Sequence, residues 1–111
     1  MGVELNNHPF TSPAPITLWE PPCCAAVYAI FARGPSCGPG SSRLIYVGES
    51  DSLSERGFWH SHPHHGCWLQ QAGGDDNLYI ALHLMPVSTP KERHTVQAEI
   101  IAACRPCCNT D

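Results

Sequence analysis

Residues 44–60 contain three side chains whose types and spacing suit phosphate chemistry: Tyr46, Arg56 and His60. An arginine holds phosphate oxygens through its planar guanidinium, and a histidine titrates near physiological pH and can relay a proton. Arg56 and His60 are four residues apart, so a helix would present both on one face. Tyr46 lies just before that helix, so the sequence predicts that a phenol, a guanidinium and an imidazole meet in one region.

Propensity and capping signals predict the elements that hold these groups. Residues 43–48 are rich in β-favouring side chains and end in a glycine, which predicts a strand. Ser52 and Glu55 have the spacing of a capping box, and Pro63 disfavours helical angles in the residue before it. The sequence therefore predicts a helix over residues 52–62, directly after that strand.

Two further strands and a last helix complete the predicted fold. Residues 24–32 form a continuous apolar run of strand length, and residues 77–85 are typical of a strand covered on both faces. Thr89, Pro90 and Glu92 have the positions of an N-cap, a first helical residue and a capping-box partner. The order β-β-α-β-α predicts an α+β fold, a small three-stranded antiparallel sheet with helices packed on it.

Length and composition predict one domain outside the membrane. The chain has 111 residues, enough for one domain. Residues 1–22 carry five of the eleven prolines, which predicts an extended N-terminal arm before a globular domain at 23–111. No apolar run approaches the ~18 residues of a membrane span, and no signal peptide is visible. We therefore expect a cytoplasmic protein with no membrane association. Its seven cysteines are then expected to be reduced thiols.

In their order along the chain, these segments resemble the GIY-YIG nuclease domains. The matching residues are Ala26-Val27-Tyr28 for the first motif, Tyr46-Val47-Gly48 for the second, Arg56 and His60 after it, Glu99 on the last helix, and Asn109 after Pro106. The resemblance extends over residues 25–109, which is nearly all of the predicted globular part.

The resemblance implies a metal-dependent endonuclease that hydrolyses phosphodiester bonds, with DNA as the expected partner. It implies that Tyr28 or Tyr46 orients or deprotonates the attacking water. Arg56 and His60 would stabilise the phosphate. An unperturbed phenol has a pKa of ~10 and is a poor base at neutral pH, so this role needs a nearby cation.

The resemblance also implies a single Mg²⁺ or Mn²⁺ held by Glu99, because a carboxylate is a hard oxygen ligand for such an ion. The resemblance further implies that Asn109 belongs to the site, as the asparagine that follows a proline-containing turn at the end of the family's domain. Family members usually carry a separate module that chooses the target, so we expect a separate targeting or partner protein.

Two other functions stay open at this point. The first is a small zinc-binding module, since histidines and cysteines cluster from His60 to Cys67 and cysteines from Cys104 to Cys108. The second is a catalytically silent nucleic-acid-binding domain of the same fold. The formal net charge of −4 disfavours tight non-specific binding, because phosphate contacts depend on basic residues.

Overall fold

A computed structural model of the chain describes residues 2–33, 42–55 and 57–109. The strands are β1 (Val3–Leu5), β2 (His8–Phe10), β3 (Ala14–Pro15), β4 (Cys24–Ala32), β5 (Arg43–Leu53) and β6 (Leu78–Leu84). The helices are α1 (His65–Ala72) and α2 (Pro90–Cys104), with short 3₁₀ helices at Phe58–Ser61, Asp75–Asn77 and Cys107–Asn109.

The main sheet has four antiparallel strands in the order β3-β6-β4-β5, and β1 and β2 form a second sheet of two strands. The α+β class is confirmed. The prediction of one three-stranded sheet was wrong, because the described residues form six strands in two sheets. The additional strands have two or three residues each, which is too short for a period-2 pattern to show.

The described part of the predicted arm is packed against the rest of the chain. Asn6 and Asn7 both have positive φ, at 49° and 68°, which is the geometry of a tight β-hairpin turn between β1 and β2. Phe10, Ile16 and Trp19 are buried and join the apolar clusters of the sheet. This proline-rich stretch therefore forms short strands and contributes buried side chains to the core.

Alternate residues of β4 supply two apolar clusters on opposite faces of the main sheet. Tyr28 and Ile30 pack with Trp68 on the face that α1 covers, called here the α1 face. Val27 and Ala29 pack with Ile100 on the face that α2 covers, called here the α2 face. Because successive strand residues point to opposite faces, one strand links both halves of the core.

The prediction of a helix over residues 52–62 was wrong. Strand β5 continues to Leu53, which pairs with Cys24 of β4, and α1 begins only after a 3₁₀ helix. Ser52 lies in the strand, and its backbone N–H donates to Ser50 Oγ at 3.2 Å. Serine side chains compete for backbone groups in this way, and the added pairing with β4 outweighs the capping signal.

Helix α2 begins as predicted. The backbone N–H of Glu92 donates to Thr89 Oγ1 at 3.2 Å, and the N–H of Thr89 donates to Glu92 Oε1 at 2.8 Å. The helix has 15 residues and buries Val96 and Ile100 against the sheet. No helix within the described ranges has both the length and the apolar character to cross a membrane.

A disulfide between Cys67 and Cys108 joins α1 to the last 3₁₀ helix, with a Cα–Cα distance of 5.8 Å. The prediction that all cysteines are reduced thiols was therefore wrong for this pair. The two residues are separated by 41 positions, and only the fold brings them together. Cys23, Cys24 and Cys104 carry free thiols.

Candidate functional site: a phenol–imidazole cluster

Five rings meet on the α1 face and form what is called here the phenol–imidazole cluster: Tyr28, Tyr46, His62, His64 and Trp68. Tyr28 Oη lies 3.0 Å from His62 Nε2. The ring centroids of Tyr28 and Tyr46 are 6.1 Å apart, and the Tyr46 ring lies 5.1 Å from His62 and 5.0 Å from His64. The His62 ring packs on Trp68 at 4.6 Å. The structure therefore brings together the two predicted tyrosines.

Strand register explains why both phenols reach the same face. Tyr28 is paired with Gly48, and Tyr46 is paired with Ile30, so the two tyrosines are diagonal neighbours on adjacent strands. A Cβ at position 48 would lie 2.5 Å from both Cζ and Oη of Tyr28. Gly48 is thus required because the phenol of Tyr28 lies directly against its backbone.

Burial controls the protonation of the cluster. It raises the pKa of Tyr28 far above the usual range, and the neighbouring Tyr46 raises it further. Burial also raises the pKa of Tyr46, and the neighbouring side chain of Tyr28 partly offsets this rise. The pKa of His62 is lowered to about 4 by burial, with His64 and His65 adding to the effect. At neutral pH both phenols are therefore protonated and His62 is neutral.

The histidine that contacts a phenol oxygen is His62, whereas the sequence pointed to His60. His60 is exposed and stacks on Trp59 with ring centroids 3.7 Å apart. Arg56, the predicted phosphate ligand, lies outside the described residues. Four histidines fall within residues 60–65, so the sequence signalled a histidine here but could not choose among them.

Glu99, the predicted metal ligand, is not brought to the phenols. It lies on α2, which covers the opposite face of the sheet, and its Oε1 accepts a hydrogen bond from His8 Nε2 at 3.2 Å. Its side chain is 52% exposed. Glu99 therefore does not fit a metal ion held beside Tyr28 and Tyr46.

Within the three described ranges, no group of three or more His, Cys, Asp or Glu side chains is arranged to hold a metal ion. For the zinc alternative, Cys67 and Cys108 are bonded to each other, so each predicted cluster has one thiol in the disulfide.

Asn109 lies at the edge of the sheet beside the cluster. Its Oδ1 accepts from the backbone N–H of Val47 at 2.8 Å, and its Nδ2 donates to the carbonyl of Val47 at 2.8 Å. Gln97 of α2 donates to the same carbonyl at 3.2 Å. The side-chain amides of Asn109 and Gln97 thus satisfy the backbone N–H and carbonyl of Val47 on the open edge of β5, next to Tyr46. The sequence spacing did not indicate this role for Gln97.

A buried ion pair follows Gly48 on β5. Arg93 is 2% exposed, and its Nε donates to Glu49 Oε2 at 2.7 Å while Nη1 donates to the carbonyl of Ser88 at 2.9 Å. The other carboxylate oxygen of Glu49 lies 3.0 Å from His94 Nε2. Arg93 therefore stabilises the fold at this point and is not presented to a ligand.

Tyr28 borders an open groove of about 290 Å³ on the protein surface. The groove is lined by Tyr28, Glu49, Ser50, Ser52, Leu53, Ser54, Glu55 and Phe58. Hydroxyl and carboxylate groups thus surround one side of the phenol. No protein-family model, curated protein or solved structure matches this chain, so the resemblance to GIY-YIG domains stays a prediction from the sequence motifs and their order.

Proposed function

We propose that this chain is an endonuclease domain of the GIY-YIG type that hydrolyses phosphodiester bonds of DNA at the phenol–imidazole cluster. The observation that supports the proposal is the convergence of Tyr28 and Tyr46, one from each sequence motif, on the imidazole of His62. Tyr28 Oη lies 3.0 Å from His62 Nε2, and the Tyr46 ring packs edge-on against the same imidazole with centroids 5.1 Å apart. Prearranged hydroxyl donors of this kind stabilise the charge that develops on phosphoryl oxygens.

In this proposal the protonated phenols orient the phosphate and the attacking water through hydrogen bonds. Arg56 is proposed to hold a phosphate oxygen, since a guanidinium binds phosphate through two parallel N–H donors. Asn109 keeps the backbone beside Tyr46 in place through its two hydrogen bonds to Val47. No step is assigned to a metal ion, because Glu99 lies on the other face of the sheet.

A second candidate, a nucleic-acid-binding domain without catalytic activity, is favoured by one observation. Burial keeps both phenols protonated, and among the described residues no lysine or arginine donates a hydrogen bond to either of them. A phenol in such surroundings cannot take a proton from water at neutral pH.

Cleavage of branched, single-stranded and duplex DNA, in Mg²⁺, in Mn²⁺ and in EDTA, tests the proposal. Tyr46→Phe removes one hydroxyl of the cluster, and Tyr79→Phe is the matched control because Tyr79 packs on the α2 face. We expect wild type and Tyr79→Phe to cleave equally and Tyr46→Phe to be slower by about 100-fold, as for loss of one transition-state hydrogen-bond donor.

Equal cleavage by wild type and Tyr46→Phe would refute the proposed site. Absence of cleavage with every DNA form, together with salt-dependent DNA binding, would instead support the silent binding domain.

The metal prediction is tested separately by titrating Mn²⁺ into wild type and Glu99→Gln. Loss of Mn²⁺ binding in the variant would support Glu99 as a ligand, and unchanged binding would remove it.

A further inference from the structure

Two hydroxyl groups border the groove beside Tyr28, and each one accepts a hydrogen bond from within the protein. Tyr28 and Ser50 both line this groove of about 290 Å³. Tyr28 is paired with Gly48, and Ser50 comes two residues after Gly48 on β5 and is paired with Ala26. Because side chains two residues apart on a strand share a face, the register puts both hydroxyl groups on the α1 face beside the groove.

The hydrogen bonds of His62 determine where the hydroxyl proton of Tyr28 can go. The backbone N–H of His64 donates to His62 Nδ1 at 3.1 Å, so Nδ1 carries no proton. Burial keeps this imidazole neutral by lowering its pKa to about 4, and its one proton is therefore on Nε2. Tyr28 Oη lies 3.0 Å from Nε2 and accepts from it. The proton of the phenol is then available for an acceptor other than His62.

Ser50 has a similar arrangement. The backbone N–H of Ser52 donates to Ser50 Oγ at 3.2 Å. A backbone N–H can only donate, so the hydroxyl oxygen of Ser50 is the acceptor and its O–H must donate elsewhere. The groove is thus bordered by two hydroxyls whose oxygens already accept from the protein and whose protons are available to a ligand.

The charges around the groove limit which acceptor fits it. Glu49 lines the groove, and Arg93 balances its carboxylate by donating from Nε to Oε2 at 2.7 Å. Glu55 also lines the groove and is exposed. Nearby carboxylates repel a dianion more strongly than a monoanion. The groove therefore suits a ligand that presents acceptor oxygens with a single negative charge, as a phosphodiester does.

We propose that this groove is a phosphodiester-binding site in which Tyr28 and Ser50 donate hydrogen bonds to the phosphoryl oxygens, and that His62 is the positioning residue that directs the Tyr28 donor. Phe58 packs edge-on against the Tyr28 ring with centroids 5.2 Å apart, which holds the phenol in place for this contact. That the phosphodiester comes from DNA rests on the proposed function, whereas the direction of the two donors does not.

Amide NMR titration with the dinucleotide thymidylyl-thymidine, in EDTA to prevent metal-dependent cleavage, tests the site. Thymidine, which lacks the phosphate, and inorganic phosphate, which is mainly a dianion at slightly alkaline pH, are the control probes. We expect the amide signals of Ser50, Ser52 and Leu53 to shift with the dinucleotide and to stay in place with both controls. No shift with the dinucleotide, or equal shifts with either control, would overturn the proposal.

Substitutions test the two donors. Ser50→Ala and Tyr28→Phe should each weaken dinucleotide binding about tenfold, because each removes one hydrogen bond to a charged oxygen. Ser50→Thr keeps a hydroxyl at the same position and should bind as wild type does. Thr95→Ala is the control, since Thr95 is an exposed hydroxyl on α2. Unchanged binding in either Ser50→Ala or Tyr28→Phe would overturn the role of that donor.

Nitrogen-15 NMR tests the role of His62. We expect a protonated Nε2 and an unprotonated Nδ1, with the signals assigned by their loss in His62→Gln, and a protonated Nδ1 would overturn this role. His62→Phe should weaken dinucleotide binding, and His62→Gln should restore it because its amide N–H can replace Nε2–H. If wild type binds the dinucleotide here but cleaves no DNA, the proposed function fails and this site stands. If it cleaves DNA but the dinucleotide leaves the groove unshifted, the site fails and the proposed function stands.

Discussion

Replacement of Gly48 by alanine tests whether the phenol of Tyr28 is held where the structure has it. The new Cβ would lie 2.5 Å from both Cζ and Oη of Tyr28. Carbon atoms in contact are normally ~3.5 Å or more apart, so the phenol must move by about 1 Å. Tyr28 is 5% exposed, and Phe58, Tyr46 and His62 pack around its ring, so this movement disturbs their packing.

The expected cost follows from these contacts. Overpacking a tight core costs about 1–3 kcal/mol, and a displaced phenol also weakens its 3.0 Å hydrogen bond to His62, worth about 1 kcal/mol. Alanine restricts the unfolded chain more than glycine does, which returns about 0.5–1 kcal/mol. We therefore expect Gly48→Ala to lower the free energy of unfolding by about 2 kcal/mol.

Urea denaturation measures this change, with Gly66→Ala as the matched control. A Cβ at Gly66 meets no atom within 4 Å, and Gly66 lies inside α1. Alanine there should stabilise the protein by about 0.5–1 kcal/mol through helix propensity. Opposite signs for the two glycines are the expected result.

A double-mutant cycle isolates the cause. In a Tyr28→Ala background the clash partner is absent, so Gly48→Ala should cost little. The reasoning is refuted if Gly48→Ala is as stable as wild type, or if its cost is the same with and without the phenol.

Three other outcomes are expected. Reduction of the Cys67–Cys108 disulfide, which spans 41 residues, should lower the free energy of unfolding by about 4 kcal/mol; denaturation curves that coincide with and without reductant would contradict this. Arg93→Met removes the partner of the largely buried Glu49 carboxylate and should cost about 3 kcal/mol, part of which Glu49→Gln should restore in the double variant; a cost below about 0.5 kcal/mol would show that the pair is not buried in solution. Because burial lowers the folded-state pKa of His62 to about 4 from 6.5, the unfolded chain binds a proton that the folded chain does not between these values. The contribution of His62 to the free energy of unfolding should therefore be fully present above pH 6.5 and decrease as the pH drops toward 4. The variant His62→Gln should show a smaller decrease over this range. Equal pH profiles for wild type and variant would exclude His62 as the cause.

Local signals predicted the elements that need no distant partner to define them. The apolar run at 24–32 coincides with β4, and the cap residues Thr89 and Glu92 form the reciprocal hydrogen bonds that begin α2. Both signals are short-range: a continuous apolar run of strand length, and two side chains that satisfy the first backbone donors of a helix.

Local signals failed where tertiary pairing competed with them. Ser52 and Glu55 have capping-box spacing, yet β5 continues through Ser52 because Leu53, the next residue, pairs with Cys24 of β4. The histidine that contacts the phenol oxygen of Tyr28 is His62, and its selection depends on how the 3₁₀ helix at Phe58–Ser61 turns the chain toward Tyr28.

The sequence by itself determined which chemistry is available: two tyrosines in ordered motifs, a histidine-rich segment, and a capped last helix. Only the tertiary structure decided which groups meet, since the pairing of β4 with β5 puts both phenols on the α1 face. The same structure puts Glu99 with His8 on the α2 face. The physical reason is that residue type is local, whereas the side of a sheet that a side chain occupies depends on strand register and on the helix packed against it.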